Sequence, residues 1–104
     1  MNSADALAQA YQTHLRLVIL RLLQRAPGYS LNESLLVDVI PQLGLEPTRD
    51  QVRGCLAWLL EQGLVTCDQT GDRPGDLMVA KISGRGIDVA LGRATHPGVK
   101  RPAP

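Results

Sequence analysis

Arg49, Gln51 and Arg53 stand just behind Thr48, at the point where a helical pattern begins. Arg49 and Arg53 are four residues apart and so share one face of a helix. A guanidinium is a planar fork of donors that matches either the acceptor edge of guanine or a phosphate, and a glutamine amide matches adenine. Thr48, Arg49, Gln51 and Arg53 therefore make a candidate face for double-stranded DNA, with one arginine on a base edge and the other on phosphate. Arg73, in a run of turn formers, has the reach for a minor groove or backbone, and Lys100 and Arg101 near the C-terminus add salt-sensitive, sequence-independent attraction. Asp50, Asp68, Asp72 and Asp76 oppose this, as phosphates repel them.

Other reactive residue types are dispersed. Cys55 and Cys67 fall in different predicted elements, neither a disulfide framework nor the paired spacing of a metal site, and read as core or near-core thiols. His14 lies in a helix and His96 in the tail, so the two Cys and two His do not suggest zinc. No glycine-rich phosphate loop, carboxylate pair or nucleophile with an adjacent base is present, so no catalytic residue, metal or cofactor is expected.

The DNA face needs a scaffold, and the apolar spacing supplies one. Ser3 is placed to cap a first helix from about Ala4 to Ala26, stopped by Pro27-Gly28, with Tyr11, Leu15, Val18, Ile19, Leu22 and Leu23 on the core face. Leu17 and Leu20 fall on roughly the opposite face, either as singly exposed leucines or as the seam of a homodimer. A shorter second helix follows, with Ser30 and Glu33 at capping-box spacing and Asn32 as a competing cap; Pro41 predicts a kink or an end near Ile40 to Leu43. Thr48 with Gln51 forms the capping box of a third helix, about Arg49 to Gln62, whose buried stripe is Val52, Cys55, Leu56, Leu59 and Leu60. Trp58 beside that stripe is either a packing residue or an interface anchor. Only Gly44-Leu45-Glu46-Pro47 separates helices two and three, the short connection of a helix-turn-helix. The period then changes to two: Leu64 to Gln69 and Leu77 to Ile82 read as a hairpin, and Ser83 caps a short last helix, about Gly84 to Leu91.

A chain of 104 residues holds one core, which must be aliphatic because Phe is absent. Residues 1–92 are read as the domain and residues 93–104, rich in proline and basic groups, as a flexible tail. The formal charge of +1 is uneven: residues 1–80 hold six arginines against nine acids, or −3, and residues 81–104 hold five basic groups against Asp88, or +4. Arg16, Arg21 and Arg25 interrupt the one long apolar stretch, and the N-terminus has no leader pattern, so no membrane partner and a place in the bacterial cytoplasm are expected.

This order of elements, α+β and mainly α, resembles the winged helix-turn-helix: three helices, a two-stranded β wing and a short C-terminal helix. Val52-x-x-x-Leu56-x-x-Leu59-x-x-x-Gly63-Leu64-Val65 resembles the passage from recognition helix to wing, and Ile82-Ser83-x-x-Gly86 the exit from the wing. More narrowly, four stretches resemble the small winged-helix proteins of Mu-like phages and prophages, of ArsR-like regulator type. They are Leu20-x-x-Leu23-x-x-Ala26-Pro27-Gly28-Tyr29-Ser30-x-Asn32-Glu33-Ser34, Arg49-Asp50-Gln51-Val52-Arg53, Leu56-Ala57-Trp58-Leu59 and His96-Pro97-Gly98-Val99-Lys100-Arg101-Pro102. The resemblance implies a phage-type, homodimeric, DNA-binding transcriptional regulator with the third helix in the major groove. Cys55 and Cys67 do not reproduce the clustered ligands of metal-sensing ArsR proteins. Because winged helices serve protein contacts equally well, the alternative is an interaction adaptor for a host or phage protein, without sequence-specific DNA binding.

Overall fold

Asn2 turns its side-chain oxygen onto the amide of Asp5 and so caps α1, Ser3–Arg25, in the computed structural model of the chain. The cap thus falls one residue before Ser3, which becomes the first helical residue. The structure describes residues 2–69 and 77–103. Ala26 is extended, as a residue before proline must be, and Pro27–Tyr29 make a tight turn in which Gly28 and Tyr29 both take positive φ.

That reversal feeds a strand the periodicity did not announce. Ser30–Asn32 is β1, antiparallel to β3 in the register Ser30 opposite Lys81 and Asn32 opposite Val79. Asn32 then accepts from the amide of Leu35 and caps α2, Glu33–Val39. The expected Ser30–Glu33 capping box does not form, because Ser30 belongs to the sheet and Glu33 turns inward. Pro41 ends α2 as anticipated. The chain tightens into a 3-10 turn over Ile40–Leu43, and Gly44 closes it with a φ of 90°.

The capping box of α3, Arg49–Glu61, is formed: Thr48 Oγ1 accepts from the amide of Gln51, and Gln51 Oε1 accepts from the amide of Thr48. Leu64 then starts the hairpin of β2, Val65–Gln69, and β3, Met78–Ile82. Pairing runs from Val65 opposite Ile82 to Gln69 opposite Met78, so β3 is the central strand and the sheet has three strands where a two-stranded wing was expected. Ser83 caps α4, Gly84–Ala90, and donates its hydroxyl to the carbonyl of Gly63. Gly86 is obligatory there, since a Cβ would strike the Leu64 carbonyl.

The described residues thus form a mainly helical α+β unit of four α-helices and one antiparallel sheet. Helix α1 is the spine, touching α3, α4 and β3. Contact on several sides buries both stripes of its central turns: Leu17 is 2% and Leu20 0% exposed, alongside Leu15, Ile19 and Leu23. The two leucines assigned to a dimer seam are therefore core residues of a single chain. None of the described helices is long and apolar enough to cross a membrane.

Several of residues 93–103, the segment read as a tail, touch the rest of the chain, although most of them are exposed. Val99 is buried, the Lys100 amide bonds the Thr13 carbonyl, and Arg16 Nη1 donates to the Gly98 carbonyl at 3.0 Å. This irregular strap meets side chains of both α1 and α3, Arg16 and His14 on the first and Trp58 and Gln62 on the second. Arg16 lies 3.8 Å above the Trp58 ring, and His96 meets that ring edge-on at a centroid distance of 5.1 Å. Trp58 is accordingly a packing residue.

Candidate nucleic-acid interface

The first two turns of α3 follow the short Gly44-Leu45-Glu46-Pro47 connection from α2. Val52, Cys55, Leu56 and Leu59 point inward, which leaves Arg49, Asp50, Gln51, Gly54 and Ala57 exposed and Arg53 half-exposed. Arg49 and Arg53 share a face and converge on one carboxylate, that of Glu33 at the start of α2.

Glu33, whose spacing from Ser30 suggests a helix cap, is instead the centre of this cluster. Its side chain is 0% exposed, yet it is charged: Arg53 donates Nε to Oε2 at 2.5 Å and Nη2 to Oε1 at 2.7 Å, a bidentate pair. The Met78 amide donates to Oε1 at 3.1 Å, and Arg49 Nη1 stands 3.9 Å from Oε2. The hydrogen bonds from Arg53, more than the opposing burial, hold the Glu33 carboxyl below its usual range, and Glu33 in turn raises the pKa of Arg53. One carboxylate therefore pins α3 to α2 and to the first residue of β3. The signal in the sequence was ambiguous, since an acid three residues after Ser30 looks like a cap.

The expected DNA residues part company in the structure. Arg49, with a side chain 45% exposed, keeps its head largely in water, whereas Arg53, at 36%, is committed along one edge. Gln51 is exposed, but its amide oxygen is engaged by Thr48, so the oxygen half of an adenine pairing is occupied while the cap stands. Thr48 is likewise held by the box. Lys100 and Arg101 are not brought to this cluster: the Lys100 ammonium sits 3.2 Å from His14 Nδ1, and Arg101 lies near Leu91 and Gly92 at the end of α4. Arg73, with Asp72 and Asp76, lies outside the described residues.

The remaining reactive groups are held by packing. Burial pushes the Cys55 thiol up to about 11 even with Arg16 nearby, and burial also raises that of Cys67, so neither is a ready thiolate. His14 is lowered by desolvation first and by Lys100 and Arg21 next. Among the described residues no three His, Cys, Asp or Glu side chains cluster in a way that would hold a metal ion.

No family model matches the chain, and no solved structure matches it. Two relatives are similar in sequence. One is the uncharacterized protein gp26 of Escherichia phage Mu, 45% identical over 89 residues that make up 86% of this chain and 88% of that protein. The other is an uncharacterized protein of Haemophilus influenzae strain Rd, 46% identical over 70 residues, 67% of this chain and 65% of that protein. With the Mu protein matched along most of both lengths, the chain belongs to the family of phage Mu gp26.

Proposed function

We propose that the chain is a winged helix-turn-helix protein of ArsR-like regulator kind that works in the bacterial host cytoplasm and binds double-stranded DNA with α3 in the major groove. The observation that carries the reading is the placement of Arg49 and Arg53 on one face of the first two turns of α3, with Arg53 held from behind by Glu33. In a helix-turn-helix it is the N-terminal part of the second helix that meets base edges. Support comes also from the short turn between α2 and α3, from the β2–β3 hairpin following α3, and from membership of a phage family. Fluorescence anisotropy against phage and flanking DNA at several salt concentrations tests it. Binding above that of random duplex, lost on combining Arg49→Ala with Arg53→Ala, is expected; binding no better than random, or indifferent to the double substitution, removes DNA reading from α3.

The adaptor reading has one observation of its own. Leu7 is 70% exposed and, with Ala4, Ala8 and Tyr11, lines an apolar groove against Glu46 and Gln51. Affinity purification from infected cells separates the two readings: a stoichiometric protein with no nucleic acid retained favours the adaptor.

A further inference from the structure

Resting on the proposed DNA reading, the geometry points to a division of labour on α3: Arg53, buttressed by Glu33, recognises guanine through its outer edge, and Arg49 supplies the sequence-independent grip on phosphate. A guanidinium has five N–H donors, and Glu33 engages Nε and one hydrogen of Nη2. One hydrogen of Nη1 and the second of Nη2 form the adjoining end of the fork, which these two bonds do not use. Those are the donors that span the O6 and N7 acceptors of guanine in the major groove. The Arg53 side chain is 36% exposed, so the guanidinium is not sealed from solvent by its pairing with Glu33.

Charge separates the two arginines further. Arg53 and Glu33 together are neutral, so the pair offers little net attraction to a polyanion while presenting a fork whose plane is already fixed. Arg49 is 3.9 Å from the same carboxylate, more exposed, and carries the charge that the trio does not cancel. The surface around Arg53 suits close approach. Gly54 and Ala57 are exposed beside it on α3, as is Asp50, whose charge opposes a phosphate there; a Cβ at Gly54 would meet nothing within 4 Å, and a methyl at Ala57 is the kind of group that contacts thymine.

The test uses the full chain and a pool of randomised duplex DNA, followed by duplexes in which single guanines are replaced by 7-deazaguanine, which lacks the N7 acceptor. The wild-type chain is expected to select guanine at one position and to lose about tenfold or more in affinity when that guanine is changed to 7-deazaguanine or to another base. Arg53→Lys should erase this preference and leave the slope of log affinity against log salt unchanged. Arg49→Ala should weaken every duplex alike and flatten the slope by about one. A guanine preference that survives Arg53→Lys, or an Arg53→Lys chain weakened evenly over all sequences, overturns the assignment while leaving DNA binding in place. Failure of the wild-type chain to bind any duplex overturns the DNA reading itself. Because the 7-deazaguanine arm leaves the protein untouched, indifference to N7 also counts against the assignment whatever the variants do.

Discussion

Glu33 bears a full charge with its side chain out of water, and that is tolerable only because three donors surround it. Removing one partner of a buried pair ordinarily costs about 3–5 kcal/mol. Arg53 is partly solvated, so a discount is due, and Glu33→Ala should cost about 2 kcal/mol, read as a lowered urea midpoint. Glu33→Gln is the more telling change, since it keeps shape and frees the charge of Arg53. It should relax guanine selection and steepen the salt dependence of DNA binding by about one, which a purely structural role for Glu33 would not do. Acid acts on the same pair. The folded carboxyl titrates below its ordinary value of 4.5, so the stabilisation is complete above that value and disappears as pH falls through the lower, folded one. The Glu33→Gln chain should lack this acid limb in a plot of stability against pH. That Arg49 and Arg53 share a face of α3 is legible from spacing alone; the acid that holds Arg53 is not, because its partners lie 20 and 45 residues away.

The elements that periodicity could announce are the long ones. Helices α1 and α3 and the β2–β3 hairpin stand within a residue or two of expectation, since each repeats its apolar pattern over several periods. Strand β1 is three residues long, too short to repeat anything, and it is defined by pairing with β3 across the fold. The strap of residues 93–103 eluded reading for a different reason: its single buried aliphatic, Val99, gives no pattern, and its anchors are Arg16, Trp58, Gln62 and His14 elsewhere in the chain. Gly98 marks the closest approach, where a Cβ would collide with the Trp58 ring. Gly98→Ala should therefore lift the strap, cost on the order of 1–3 kcal/mol, and change the fluorescence of Trp58, the one tryptophan. Protons should loosen the same element. The folded pKa of His14 is depressed below 6.5, so its contribution is present above that value and is lost as pH falls through the folded pKa, where the imidazolium would face the Lys100 ammonium. Stability measured from pH 7.5 down to 5 should fall in this window, and His14→Gln should flatten the fall.

At the scale of the whole molecule, the question is how one chain or two would engage a DNA site. Leu17 and Leu20 belong to the core, so Leu20→Ala should cost about 2–5 kcal/mol of folding stability at every protein concentration, with no effect on self-association beyond unfolding. The most exposed large apolar side chain among the described residues is Leu7, toward the N-terminal end of α1, which lines a groove with Ala4, Ala8 and Tyr11. Four side chains of that size fall well short of the roughly 1,000 Å² that a stable protein interface buries. Two chains held side by side by neighbouring half-sites would need far less, because the DNA raises their local concentration. Light scattering of the free protein should thus give a monomer, while a pseudo-palindromic duplex should take up two chains cooperatively. Leu7→Glu should abolish the cooperativity and leave both the unfolding midpoint and binding to an isolated half-site unchanged. A stable dimer in free solution that survives Leu7→Glu would place the pairing surface elsewhere, and independent filling of the two half-sites by the wild-type chain would remove pairing from this family member altogether.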